Sequence, residues 1–252
     1  MRWMQKNSII FFRHQDLPVR KFTSAWNLKE TKMEDKVMEI GYPRNDFLIN
    51  HTQEDIRMIK EKLEIPEDKK VILYAPTWRD NQHEAGTGFT YDLNVDFDAL
   101  RQELGDEYVI LFRVHYLVAS KFSFDDYEGF IYNVSNYDDI NHLYLIADLL
   151  ITDYSSVFFD YGILKKPMLF YMYDLEDYKD SIRGFYFGID KLPGKIITKE
   201  KELPDAIRDS IDNFVYDDKI PGIQRNLQQT GRWSGKQAFC RLGIPGRERI
   251  RK

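Results

Sequence analysis

Three short segments carry side chains that could handle a charged ligand: Ala75-Pro76-Thr77-Trp78-Arg79-Asp80, Arg113-Val114-His115-Tyr116 and Ile151-Thr152-Asp153-Tyr154-Ser155-Ser156. Each follows directly on a short apolar run rich in β-branched and aromatic residues. In a parallel sheet, the residues just past the strands gather at the carboxyl edge, where ligands bind. Arg79, His115 and the Ser155-Ser156 pair, delivered there together, suit an anionic, phosphate-bearing ligand.

The chemistry differs from segment to segment. A helix that opens at Ser155-Ser156 presents its first N–H groups and a partial positive charge, and two hydroxyls can donate to phosphate oxygens. Asp153 or Ser155 could equally cap that helix, and the two uses are compatible. A histidine two residues after Arg113 could hold or donate a proton as a leaving group departs, while Arg113 neutralises phosphate through a bidentate contact. The plainer alternative is a surface histidine beside a structural arginine. Pro76 fixes a turn that offers the Thr77 hydroxyl and N–H, which plain turn chemistry would also explain. His14, His51, His83 and His142 lack metal-ligand spacing and read as structural or solvated. No metal site is expected. The chain contains no GxGxxG, GxxxxGK[ST] or GxSxG, which argues against a standard dinucleotide site, a P-loop and an α/β-hydrolase.

The elements that must position these residues follow from hydrophobic periodicity. Thr52 caps a helix carrying Ile56, Ile59 and Leu63 as far as Pro66. Strands are predicted at Val71–Tyr74, Tyr108–Phe112, Ile131–Val134, Leu149–Thr152, Met168–Tyr171 and Ile196-Ile197. Between them come a polar loop over 79–92 and helices from Asp96 to Leu104 (with Gly105 as the stop), Asp138 to Ala147, Ser155 to Gly162 and Lys199 to Phe214. Ile9–Phe12 could form a further strand. Strands alternating with helices give an α/β fold, a Rossmann-like parallel sheet covered by helices. Gly41-Tyr42-Pro43-Arg44-Asn45-Asp46 marks a domain boundary. Residues 1–40 are then an arm or remnant, 41–224 the ligand-binding domain and 225–252 a basic tail.

Composition narrows the classes. The 252 residues are 43% apolar and 15% aromatic, enough for a sizeable core. The lone Cys240 excludes a disulfide framework and a cysteine zinc site, and fits a reducing compartment. No apolar run is long enough to span a bilayer, and no signal peptide is evident. The net charge of −5 is uneven: residues 1–29 carry six Lys/Arg against one Asp, and 225–252 carry eight against one Glu, leaving −17 between them. Such basic ends could touch an anionic surface, as peripheral membrane contact or contact with a polyanion, or could simply be solvated. The aromatics are spread as core residues, so no nucleic-acid partner is expected.

Nine segments in one order carry a family resemblance: Gly41–Asp46, APTWRD, FRVHY, Ser135-Asn136-Tyr137-Asp138-Asp139, LITDYSSVFFD, Lys166-Pro167, Tyr171–Leu175, Arg183-Gly184-Phe185-Tyr186 and Leu192-Pro193-Gly194. Over roughly residues 35–214, the series resembles the carboxy-terminal half of the CDP-glycerol glycerophosphotransferases. That family comprises the teichoic-acid primases and polymerases, with capsule-synthesis relatives. The resemblance implies the donor-binding half of a GT-B fold. The implied reaction transfers glycerol phosphate from CDP-glycerol to a polyol-phosphate or lipid-linked acceptor and releases CMP. No cofactor and no essential metal are implied, and the setting is cytoplasmic, at the inner face of the membrane.

Carried over by position, His115 becomes the histidine that faces the pyrophosphate. Arg113, Thr77, Arg79, Ser135, Asp153, Ser155 and Ser156 become donor-binding residues, and Asp160 a polar position near the nucleoside or glycerol. Arg44 could reach the cleft or be structural. The family's other histidine, within a Trp-His-Gly-Thr-Pro-like motif, has no counterpart here, and Gly231–Ala238 only loosely echoes the family's closing segment. The expectation is a truncated member that works with a separate amino-terminal half. A catalytically inactive nucleotide-binding module and a GT-B transferase with another donor remain open.

Overall fold

The strand that begins the ordered core reads Lys-Val-Ile-Leu-Tyr and is buried from its second residue onward. Such continuous apolar runs belong to strands covered on both faces. The computed structural model describes residues 11–12, 30, 37–38, 43–77, 83–84, 88–89, 94–120, 122–176, 189 and 192–216. The chain divides into two units, one of residues 51–220, the other of residues 1–50 with 221–252.

The larger unit is built on six strands: β1 (Lys70–Tyr74), β2 (Tyr108–Phe112), β3 (Ile131–Asn133), β4 (Leu149–Thr152), β5 (Met168–Tyr171) and β6 (Lys195–Ile197). All pairings are parallel, in the order β6-β5-β4-β1-β2-β3. The chain winds outward from β1 through β2 to β3, then returns to β4 on the other side of β1. The order therefore reverses between β1 and β4, the switch point at which doubly wound sheets bind ligands.

Helices α1 (Gln53–Lys62), α2 (Phe97–Leu104), α3 (Tyr116–Ala119), α4 (Ile140–Ile146), α5 (Val157–Tyr161) and α6 (Leu203–Asp212) fill the connections. Thr52 and Asp55 form a reciprocal capping box on α1. Asp96 caps α2 by accepting from the Ala99 N–H at 3.0 Å. Gly105 ends α2 as expected, but in right-handed geometry (φ −62°). What it needs is room, since a Cβ would lie 2.6 Å from the Arg101 carbonyl oxygen. Ile72, Tyr74, Ile110, Phe112, Ile151 and Tyr171 share one cluster with Leu100 and Leu104 of α2 and Leu203 and Ile207 of α6. Alternation sends Val71 and Leu73, also fully buried, to the opposite face. There α4 packs on β1 and α1 on α4.

Three predicted elements shrink. The helix expected over Ser155–Gly162 is five residues, Val157–Tyr161, followed by a 3-10 turn at Gly162–Leu164. The helix expected from Lys199 starts as a 3-10 turn at Glu200–Glu202, with α6 beginning beside Pro204. The helix expected over Asp138–Ala147 starts after its cap, Asp139, whose carboxylate accepts from the Asn141 N–H. The polar loop over 79–92 contains a short antiparallel pairing of His83–Glu84 with Gly88–Phe89.

The amino edge of the sheet is stapled by side chains. Asp148 Oδ2 accepts from the Val71 N–H at 2.8 Å. Lys166 Nζ donates to the carbonyls of Leu145 and Ala147 at 2.7 and 2.8 Å. Lys69 Nζ donates to the Gly105 and Asp106 carbonyls, and Lys70 pairs with Asp212 at 3.1 Å. At the other end of β2, the Phe112 ring meets Tyr74, Phe97, Phe122 and Phe124 edge-on at 4.8–6.2 Å between centroids. This aromatic knot fixes the point from which Arg113, Val114 and His115 depart.

In the smaller unit, Phe11–Phe12 pairs in parallel with Val37–Met38, so part of the predicted Ile9–Phe12 strand is present. A 3-10 turn at Pro43–Asn45 leads into a helix at Asp46–Asn50 with Leu48 buried. Among the described residues, no helix is long and apolar enough to cross a membrane.

Candidate functional site

All six parallel strands end at the carboxyl edge. Tyr74 of β1 pairs with Phe112 of β2 and Ile151 of β4. Thr77, His115 and Tyr154 each lie three residues past that paired row, so they stand at matching sequence height on neighbouring strands. β2 and β4 flank β1, which puts the departure points of His115 and Ser155 roughly 10 Å apart, two strand spacings.

The switch point itself is bolted by Asp153. Its Oδ1 accepts the Thr77 N–H at 2.8 Å, the Thr77 hydroxyl at 2.5 Å and the Tyr154 N–H at 2.6 Å. Just below, the Thr152 hydroxyl donates to the Ala75 carbonyl at 2.7 Å. Asp153 is only 2% exposed. A carboxylate buried this deeply is tolerable because donors replace its lost water. Thr77 and Asp153, both expected to bind ligand, thus engage each other and shape the turn between β1 and β4.

A second group of bonds shapes the β2 and β3 ends. Arg113 Nη1 donates to the carbonyls of Val134 at 2.9 Å and Tyr137 at 2.8 Å. Burial pushes its guanidinium down from the ordinary arginine value, against the opposing influence of Tyr144 and Asp139. This nitrogen, expected at a phosphate, holds the turn after β3. Ser135 is buried, and its Oγ accepts from the Val114 N–H at 3.2 Å. His115 is exposed, with its carbonyl accepting from the Val118 N–H at 3.0 Å to start α3.

The β4 loop carries the serines. Ser155 is half-buried and Ser156 exposed. Ser156 is the N-cap of α5 without a side-chain cap bond, and Ser155 Oγ accepts a long 3.4 Å bond from the Val157 N–H. With only five residues in α5, little macrodipole accumulates, so the hydroxyls and nearby N–H groups are the stronger anion handles. Asp160 is buried on α5. Arg44 is exposed on the 3-10 turn of the other unit. Arg79 lies outside the described residues.

Sequence reasoning passed over four residues. The Tyr154 hydroxyl donates to Asp174 Oδ1 at 3.0 Å, linking the β4 and β5 ends. The Tyr137 hydroxyl lies 3.0 Å from His142 Nδ1. The available signal was position alone, since Tyr137, Tyr154 and Asp174 all fall within four residues past a strand. Among the described residues, no cluster of three or more His, Cys, Asp or Glu side chains could hold a metal.

An all-parallel, doubly wound sheet whose strand order reverses at its centre is the architecture shared by many nucleotide-binding α/β proteins. The chain belongs to the CDP-Glycerol:Poly(glycerophosphate) glycerophosphotransferase family, whose model matches residues 18–229. It is 52% identical over 189 residues to the teichoic acid poly(glycerol phosphate) polymerase of Bacillus subtilis (strain 168), covering 74% of this chain and 25% of that one. To the teichoic acid glycerol-phosphate transferase of Staphylococcus aureus it is 51% identical over 178 residues, covering 69% and 45%. To a teichoic acid poly(ribitol-phosphate) polymerase of Bacillus spizizenii it is 38% identical over 193 residues, covering 72% and 30%. The wall teichoic acid polymerase TagF, solved as a histidine-to-alanine variant, superposes with a TM-score of 0.79 at 39% identity, over 94% of this chain and 58% of that one. A TagF variant has also been solved after soaking with CDPG. The chain therefore spans a quarter to under half of these first two relatives.

Proposed function

We propose that this chain binds CDP-glycerol at the carboxyl edge of β1, β2 and β4 and supplies the donor half of a glycerol-phosphate transfer that releases CMP. The observation that carries the reading is the matched height of Thr77, His115 and Tyr154 around the switch point, in a chain of this family. The CDPG-soaked TagF variant supports the donor. The higher identity to glycerol-phosphate than to ribitol-phosphate relatives supports the polyol.

In this reading, the donor's diphosphate lies between His115 and the Ser155-Ser156 turn. An acceptor hydroxyl attacks the phosphorus that bears glycerol, and the bond to the CMP oxygen breaks. His115, exposed and rooted on the aromatic knot, stabilises or protonates the departing phosphate. Ser155, Ser156 and neighbouring N–H groups hold the phosphate oxygens, and Asp160 and Arg79 complete the donor pocket. Asp153, Thr77, Ser135 and Arg113 set the positions of those groups. Residues 41–224 act as the donor domain. An amino-terminal half supplies the acceptor side. The basic residues of 1–29 and 225–252 meet a polyol-phosphate or lipid-linked acceptor at the membrane surface.

Isothermal titration with CDP-glycerol, CDP-ribitol and CMP tests the reading. CDP-glycerol is expected to give saturable heat and to bind more tightly than CDP-ribitol. His115→Ala is expected to lower CMP release by roughly 10²–10⁴-fold. No heat at millimolar CDP-glycerol would reject the proposal.

A further inference from the structure

The turn between β3 and α4 is gripped from two sides, and only one grip comes from the strands. On the strand side, the Val134 carbonyl accepts both the Tyr137 N–H at 3.0 Å and Arg113 Nη1 at 2.9 Å, closing a tight turn over residues 134–137. Ser135, inside that turn, accepts from the Val114 N–H, one residue before His115. On the helix side, the Tyr137 ring leans over α4. Its hydroxyl lies 3.0 Å from His142 Nδ1, the two rings meet edge-on at 5.8 Å, and Lys62 of α1 sits 5.0 Å above its face. Asp139 Oδ2 lies 3.9 Å from His142 Nε2. That carboxylate favours the ring proton on Nε2, which leaves Nδ1 to accept from the tyrosine hydroxyl.

We propose that His142 is a positioning residue: through the Tyr137 hydroxyl it fixes the 134–137 turn and, through Ser135 and the Val114 N–H, the height of His115 at the donor site. The inference rests on the donor reading above and adds a residue that does not itself touch ligand. Every link in the path is a hydrogen bond or a covalent bond, so slack at His142 can reach His115 without any change in the sheet.

The test pairs two readouts on the full chain. His142→Phe keeps the ring contact but removes the acceptor, and Tyr137→Phe keeps the face under Lys62 but removes the hydroxyl. His142→Asn restores an acceptor, its Oδ1, close to where Nδ1 stood. Loss of one hydrogen bond corresponds to about a three- to tenfold change in an equilibrium. Each Phe variant is expected to weaken CDP-glycerol binding by that factor and to speed amide exchange at residues 113–118 and 134–139 by a similar one. The double variant should be no worse than either single one, because both remove the same bond, and His142→Asn should recover most of the loss. A purely structural contribution would lower the melting temperature without non-additivity in binding and without rescue by Asn, and either result overturns the proposal. Unchanged exchange in His142→Phe overturns it regardless of binding. If the unmodified chain gives no heat with CDP-glycerol, the donor reading has failed, and the tether is decided by exchange alone.

Discussion

The Asp153 bolt makes a quantitative claim. One carboxylate oxygen collects three donors, two of them from Thr77. Hydrogen bonds to a charged group contribute about 1.5–3 kcal/mol each, against about 0.5–1.5 for neutral pairs. Thr77→Val removes the hydroxyl bond while conserving shape, and should cost about 1.5–3 kcal/mol while Asp153 is intact. Asp153→Asn keeps an oxygen acceptor but removes the charge, turning all three bonds into neutral ones and costing about 3–4.5 kcal/mol. In the Asp153→Asn background the same Thr77→Val change should cost only about 0.5–1.5 kcal/mol. The cycle therefore predicts a coupling of about 1 kcal/mol or more, well above the roughly 0.3–0.5 kcal/mol scatter of independent sites. Urea unfolding of the four proteins, compared at constant m, measures it. Strict additivity would show that the short contacts at Asp153 carry no energy, and the argument that this residue shapes the switch point would fail.

Other outcomes follow from particular contacts. Gly194→Ala would set a Cβ 2.2 Å from the Met168 carbonyl oxygen, a backbone atom that cannot swing aside. The β5–β6 pairing should part at a cost of about 1–3 kcal/mol, and an unchanged urea midpoint would contradict the close approach. Phe112→Ala should cost about 3–5 kcal/mol and weaken CDP-glycerol binding in the protein that remains folded, since it empties the knot beneath His115. Burial holds the Tyr171 hydroxyl well above the usual phenol range, and it donates to the Asn94 carbonyl at 2.6 Å. A phenol raised in the folded state contributes stability that is complete below the unfolded value, about 10. That stability is lost as pH climbs from there toward the folded value, because the unfolded chain ionises first. The unfolding midpoint of the native chain should therefore fall above pH ~10. Tyr171→Phe should flatten that part of the fall, and an identical alkaline profile in the variant would rule it out.

Much of this molecule was legible because its central strands are uninterrupted apolar runs. Val71–Tyr74, Tyr108–Phe112, Leu149–Thr152 and Met168–Tyr171 could be read almost to the residue. The edge strands and short helices were less clear. Ser155 and Gly162 look like helix ends, yet the chain spends those positions on a serine turn and a 3-10 turn, both local hydrogen-bond choices that periodicity does not encode. The candidate site was legible in its location but not in its internal wiring. Residue type marked Arg113 as phosphate-facing, and the family resemblance marked Asp153 as donor-binding. Whether a side chain turns outward or back onto a carbonyl depends on neighbours twenty or seventy positions away. Val134 and Tyr137 claim the arginine, and Thr77 claims the aspartate. His142 lacks metal-ligand spacing and so reads in the sequence only as structural or solvated, and its partner, Tyr137, is visible there only within the Ser135–Asp139 motif.

The side-chain staples at the amino edge give this sheet a practical asymmetry. Asp148, Lys166, Lys69 and the Lys70–Asp212 pair hold one rim together without help from the loops at the other. A designer could therefore exchange whole loops at the carboxyl rim and leave the chassis untouched.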